Sequence, residues 1–171
     1  MSYQPAQFKL LNLAGIQESL TAMRFPKQSI GDSIGDTIGE NDKKLAQRLI
    51  KSGDDHAKAI RGIVAWVEIG MQVGFMIEFE TYRIGVECLS TTSSMYGELR
   101  PLKGVALADQ KQKDLPTKYY KRIATINYQA MRRMYYARRF HKHPDWRIFA
   151  EFVESLPHFE TFIKPRNERR N

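Results

Sequence analysis

The segment that most constrains the fold is Ile63-Val64-Ala65-Trp66-Val67-Glu68-Ile69, apolar at every position but Glu68. β-Branched and aromatic side chains this dense favour an extended backbone, and the run reads as a mostly buried strand. Gly70 breaks it. A buried strand needs partners and cover, and the flanking patterns supply the cover. Asn41 or Asp42 can cap a helix to about Ser52, with Leu45, Leu49 and Ile50 as its apolar stripe and Gly53 as its stop. Met71 to Tyr82 carries Met71, Phe75 and Phe79 at a spacing of four, which predicts a second helix. A long helix is expected after Leu115-Pro116-Thr117, with Ile123, Ile126, Ala130, Met131 and Met134 facing inward, ending near His141. His143-Pro144-Asp145 opens a last helix with Phe149, Phe152, Val153 and Leu156 on one side, and Pro157 stops it. Residues 1–29 show no long periodic pattern, and Gly85 to Gly104 reads as a loop or short strands. The fold class is therefore α+β, with helices packed around a small sheet.

Two segments stand apart. Ile30 to Asn41 repeats as IGDS, IGDT and IGEN. Its glycines and small polar residues predict turns, in a mobile loop across 30–41 with the makings of a lid. It lacks the Gly-Lys-Ser/Thr ending of a phosphate loop. The basic tail over 164–171 is expected to fray.

With 171 residues, 42% of them hydrophobic, the chain is long enough for one domain over 1–171 with a real core. The single cysteine, Cys88, excludes an intrachain disulfide and a cysteine-cluster zinc site. Met1 to Gly15 has one Lys and a broken apolar run, so no secretory signal is expected; the charge-free stretch Ile69 to Ile77 is far short of a membrane span, and the location reads as cytoplasmic. Lys and Arg total 27 against 19 acids, a formal charge of +8. Between Thr117 and Arg147 the basic residues outnumber the acids nine to one. Such an excess favours a phosphate-bearing partner, nucleotide or nucleic acid.

No hydrolytic constellation accompanies the charge. His141 and His143 are two apart and do not share a helical face. Ser93 and Ser94 lie in no nucleophile elbow. The residues alone reach a basic phosphate-holding protein and no reaction.

The order of short motifs adds more. Ser52-Gly53-Asp54-Asp55-His56 precedes the strand, Thr81-Tyr82-Arg83-Ile84-Gly85 follows it, and a Ser/Thr-rich stretch runs to Tyr96. Later come Asn127, Arg138 and His143-Pro144-Asp145-Trp146. This order resembles the flavin-dependent thymidylate synthase family (ThyX) over about His56 to Leu156. The resemblance implies that His56 and Arg83 touch a flavin dinucleotide (FAD), Arg83 through a phosphate. It implies that Arg138, or Arg139 after a one-residue slip, faces a pyrimidine nucleotide, with Ser90, Thr91 and Ser93 at the nucleotide phosphate. It also implies a homotetramer with flavin sites between subunits, and a folate as carbon donor.

The motif is eroded. Thr81 stands where the family has its first Arg, Tyr82 where it has His, Val86 where it has Ser, and Ser93 where it has the closing Arg. Two readings follow, a flavin-dependent methylation of a pyrimidine nucleotide and a non-catalytic protein that sequesters or senses a nucleotide. Either would suit a phage. Binding of nucleic acid along Lys118 to Arg147 ranks below both, because no nucleic-acid motif accompanies that charge.

Overall fold

A computed structural model describes residues 3–35, 37–93, 99–115 and 118–165. The expected buried strand is there, as β2 (Val64–Gln72), one of four strands in an antiparallel sheet. The others are β1 (Gln7–Ala14), β3 (Val86–Thr91) and β4 (Tyr119–Asn127), in the spatial order β1-β2-β4-β3. Ala65, Val67, Ile69 and Met71 of β2 are buried on one face, beside Ala124 and Ile126 of β4. The opposite face carries Trp66, Glu68, Ile123 and Thr125, all partly or fully exposed.

The helices are α1 (Ile16–Arg24), α2 (Glu40–Lys51), α3 (Val73–Phe79), α4 (Gly104–Asp114), α5 (Tyr128–Arg138), α6 (Pro144–Glu154) and α7 (Phe159–Phe162). A 3₁₀ segment, Ala57–Gly62, leads into β2. The core is largely aromatic on one side: Phe8, Phe75, Phe79, Trp146 and Phe149 meet at centroid distances of 4.9–6.1 Å. Truncating one such ring costs about 3–5 kcal/mol, the transfer loss plus a cavity.

Four expectations need correction. The long helix after Thr117 is instead β4 followed by α5. Ile123, expected to face inward, is 38% exposed on the open face of the sheet. The helical spacing of Ile123, Ile126 and Ala130 coincides with a two-residue alternation, in which Arg122, Ala124 and Ile126 are the buried set. Asn127 ends the strand and starts the helix, its Oδ1 accepting from the Ala130 N–H at 2.9 Å. Pro116 and Thr117 themselves lie outside the described residues. Residues 1–29, read as patternless, form the edge strand β1 and α1. The second helix is shorter than expected, since Met71 and Gln72 still belong to β2. The stripe of α2 also differs: Asp42, Ala46 and Ile50 are its buried residues, with Leu45 and Leu49 only partly covered.

The glycine repeat closes a turn, with Ile34 and Thr37 paired as an isolated bridge; Asp36 lies outside the described residues. Its first unit is bonded to α2. The Asp32 carboxylate accepts from the N–H groups of Asn41 and Asp42, at 2.9 and 3.0 Å, and so caps the helix from outside. Asp42, 1% exposed, accepts in return from the Asp32 and Ser33 N–H groups, the Ser33 hydroxyl and Arg24 Nε. Burial alone would raise the Asp42 carboxyl, but the bonds from Ser33, Arg24 and the backbone hold it below its ordinary value. Among the described residues no helix is long and apolar enough to cross a membrane.

Candidate functional site

α5 organises the basic side chains. The turn from Glu80 to Gly85 lies against it, and Gly85 is needed there: its φ is +81°, and a Cβ would sit 2.4 Å from Asn127 Nδ2. Its carbonyl accepts from the Asn127 N–H at 3.0 Å, tying the turn to the start of α5. Between turn and helix opens a cleft of about 100 Å³, lined by Thr81, Tyr82, Arg83, Ile84, Ala130, Arg133 and Met134. Two guanidinium groups border it and no carboxylate does. Arg83 is exposed, its Nε donating only to the Glu80 carbonyl at 3.4 Å. Arg133 is exposed and bonds to none of the described residues. An acid-free cleft between two such forks is suited to an oxyanion.

Arg138 lies further along α5, in contact with Tyr82. Its Nε donates to the Tyr82 hydroxyl at 2.7 Å, and its guanidinium lies over the rings of Tyr82 and Trp146 at 5.6 and 5.2 Å. Arg139 turns away, over Tyr135, Tyr136 and Phe140 at 4.6–5.5 Å. Of the two adjacent arginines, only Arg138 contacts a residue that lines the cleft, Tyr82. The Tyr135 hydroxyl donates to Glu154 at 2.6 Å, and burial, with that bond, pushes its titration up.

His56 sits exposed at the entry to Ala57–Gly62, and no hydrogen bond or ion pair joins it to Arg83 among the described residues. Its segment reaches α5 at other positions: Gln129 Nε2 donates to the Asp54 carbonyl at 3.4 Å, and Arg132 Nη1 lies 3.8 Å from the Asp54 carboxylate. α5 thus carries the His56 segment and the Arg83 turn on different side chains. Ser90, Thr91 and Ser93 lie toward the far end of β3. Val86 to Thr91 spans roughly 17 Å at ~3.3 Å per residue, so within one chain these hydroxyls do not share the cleft. Ser94 and Tyr96 lie outside the described residues, as do 166–171 of the tail.

Arg133 and Tyr82 were missed in the sequence. Arg133 entered the sequence reading only as one of the basic residues between Thr117 and Arg147, and Tyr82 only as a departure from the family motif. The available signal was their helical and turn spacing from Met134 and Arg83. No group of metal-ligating residues occurs among the described residues. A larger cavity of about 300 Å³ lies beside Arg24 and Asp42, where the arginine already faces its own carboxylate.

No family model and no curated protein matches the sequence. Solved structures do. One is a flavin-dependent thymidylate synthase, ThyX, from Helicobacter pylori complexed with FAD and dUMP. It superposes with a TM-score of 0.70 at 16% identity, over 94% of this chain and 100% of that one. A second Helicobacter pylori ThyX structure with FAD and dUMP gives a TM-score of 0.69 at 17% identity, over 92% and 97%. The chain has the ThyX fold. The expected α+β architecture and the resemblance read from the motif order agree with this.

Proposed function

We propose that this chain handles nucleotides on the ThyX scaffold, holding FAD through Arg83 and Arg133 and a pyrimidine nucleotide through Arg138. The observation that carries this reading is the acid-free cleft bordered by Arg83 and Arg133, with Arg138 beside it. The fit to FAD is good at the phosphates, since two exposed guanidinium forks offer charge-assisted hydrogen bonds. It is incomplete at the ring system. A cleft of about 100 Å³ is far below the roughly 300–1,000 Å³ of pockets that enclose larger ligands. Ile84, 78% exposed at the cleft, offers apolar surface but no enclosure. We therefore place the ring system between subunits of a homotetramer, where His56, Ser90, Thr91 and Ser93 of other copies complete the site.

Bound and reduced, the flavin supplies a hydride for methylation of the pyrimidine, with a folate as carbon source. The side chains of this chain bind, orient and exclude water; no nucleophile of their own is required. A second reading, a non-catalytic nucleotide trap on the same scaffold, is favoured by one feature. Ser93 replaces the closing Arg of the motif, which removes charge-assisted bonds to a substrate phosphate. A phage source and a cytoplasmic location suit both readings.

The test is an absorbance spectrum of the purified protein, then mass spectrometry of what heat releases. Flavin at one per chain supports the enzyme reading, and assays with folate and dUMP follow. A nucleotide released without flavin supports the trap. No flavin bound, and none taken up when added, overturns the FAD assignment. In a folded Arg83→Ala protein, flavin affinity falls by about 1.5–3 kcal/mol, the scale of a charged hydrogen bond; unchanged affinity removes Arg83 from the site.

A further inference from the structure

Arg138 owes its orientation to a tyrosine. Tyr82 lies in the turn after α3, part-buried, where its hydroxyl accepts from Arg138 Nε and its ring lies under the guanidinium. The ring also meets the Trp146 indole edge-on, at 5.5 Å and 72°. Trp146 is itself fixed. It is fully buried, its Nε1 donates to Glu78 Oε2 at 2.8 Å, and Phe75 and Phe79 pack on it at 4.9 and 5.9 Å. A chain of anchored groups thus runs from Glu78 through Trp146 and Tyr82 to Arg138.

The consequence is geometric. Arg138 spends its Nε–H on Tyr82, and the rings of Tyr82 and Trp146, themselves 5.5 Å apart, flank its guanidinium from one side. Its Nη1 and Nη2 groups bond to none of the described residues. Held in this way, the guanidinium offers only its end-on fork, which pairs with two acceptor oxygens at once. An arginine on a free side chain would have to give up rotamer freedom on binding; this one has given it up on folding.

We infer that Tyr82 is a positioning residue, which fixes Arg138 for bidentate contact with a nucleoside monophosphate. The inference rests on the reading of Arg138 as the nucleotide contact. It also gives the departure from the family motif at position 82 a role: tyrosine supplies one hydroxyl acceptor and a wide ring face to the same arginine.

A double-mutant cycle tests it, with dUMP as the probe in calorimetric titrations of wild type, Tyr82→Phe, Arg138→Ala and the double variant. Tyr82→Phe keeps the ring and its packing and loses only the hydroxyl. The expected result is an increase in Kd of about fivefold to tenfold in Tyr82→Phe, absent when Arg138 is already Ala. Equal binding by Tyr82→Phe and wild type overturns the inference. So does a penalty that persists undiminished in the Arg138→Ala background, because Tyr82 then acts on the ligand or on the fold directly.

A second measurement needs no nucleotide. The Arg138 Nε–H resonance of the free protein is expected to be protected from exchange, and to lose that protection in Tyr82→Phe. If that holds while wild type binds no dUMP, the nucleotide reading fails and the anchor stands. If protection is the same in both proteins, the anchor itself fails.

Discussion

The repeat-α2 junction and the α5 cleft use arginine in opposite ways. At the junction, Arg24 donates to Asp42, and Asp42 is saturated by Ser33, Asp32 and Arg24 together. Its charges are consumed by folding. At the cleft, Arg83 donates to one backbone carbonyl, Arg133 bonds to none of the described residues, and the one anchored cation, Arg138, is held by neutral aromatic groups. A phenol and two π faces orient a guanidinium without neutralising it. The contrast separates cations that hold the chain together from cations kept for something else, a distinction that net charge does not draw.

That contrast breaks most visibly at Asp42. Asp42→Asn removes the nearer of the two carboxylates that face Arg24, Asp32 remaining at 3.9 Å, and is expected to cost about 3 kcal/mol of stability, read from urea midpoints, with ligand affinity per folded molecule unchanged. Because the folded carboxyl titrates below its ordinary value, its contribution is present at neutral pH. The contribution is lost as pH falls below about 4, so the gap between wild type and Asp42→Asn narrows there. A gap that widens in acid contradicts the assignment.

Arg138→Ala is expected to do the reverse, with a loss of dUMP affinity of about 1.5–3 kcal/mol and little change in denaturation midpoint beyond the ~1 kcal/mol of its ring contacts. Arg133→Ala gives the smallest effect on folding, within about 0.5 kcal/mol. Its signature is a flavin affinity that falls several-fold and depends less steeply on salt. A drop in melting temperature for Arg133→Ala as large as that for Asp42→Asn would remove the distinction.

How far the sequence foretold this depends on where a pattern had one meaning. β2, α2 and α6 were legible because each has a dense or periodic apolar set, although β2 runs two residues past Gly70, the stop the sequence suggested. The β4–α5 boundary was not. Ile123, Ile126 and Ala130 satisfy a helical period, Ala124 and Ile126 satisfy a strand period, and only the Asn127 cap distinguishes them. β1 was hidden because adjacent Leu10 and Leu11 blur its alternation, and a bulge between Leu10 and Asn12 shifts the register. At the site, Arg83 and Arg138 could be singled out from motif order. Arg133 and Tyr82 needed the docking of the Glu80–Gly85 turn against α5, a long-range contact that no local pattern encodes.

The burial of Trp146 also equips the molecule for optical work. Of the two tryptophans, Trp66 stands on the open face of the sheet, while Trp146 lies fully buried with the Arg138 guanidinium 5.2 Å from its ring. A Trp66→Phe protein would emit from one indole alone, packed against the cation proposed to meet the nucleotide. Ligand entry could then be followed by intrinsic fluorescence, in stopped flow and without a dye.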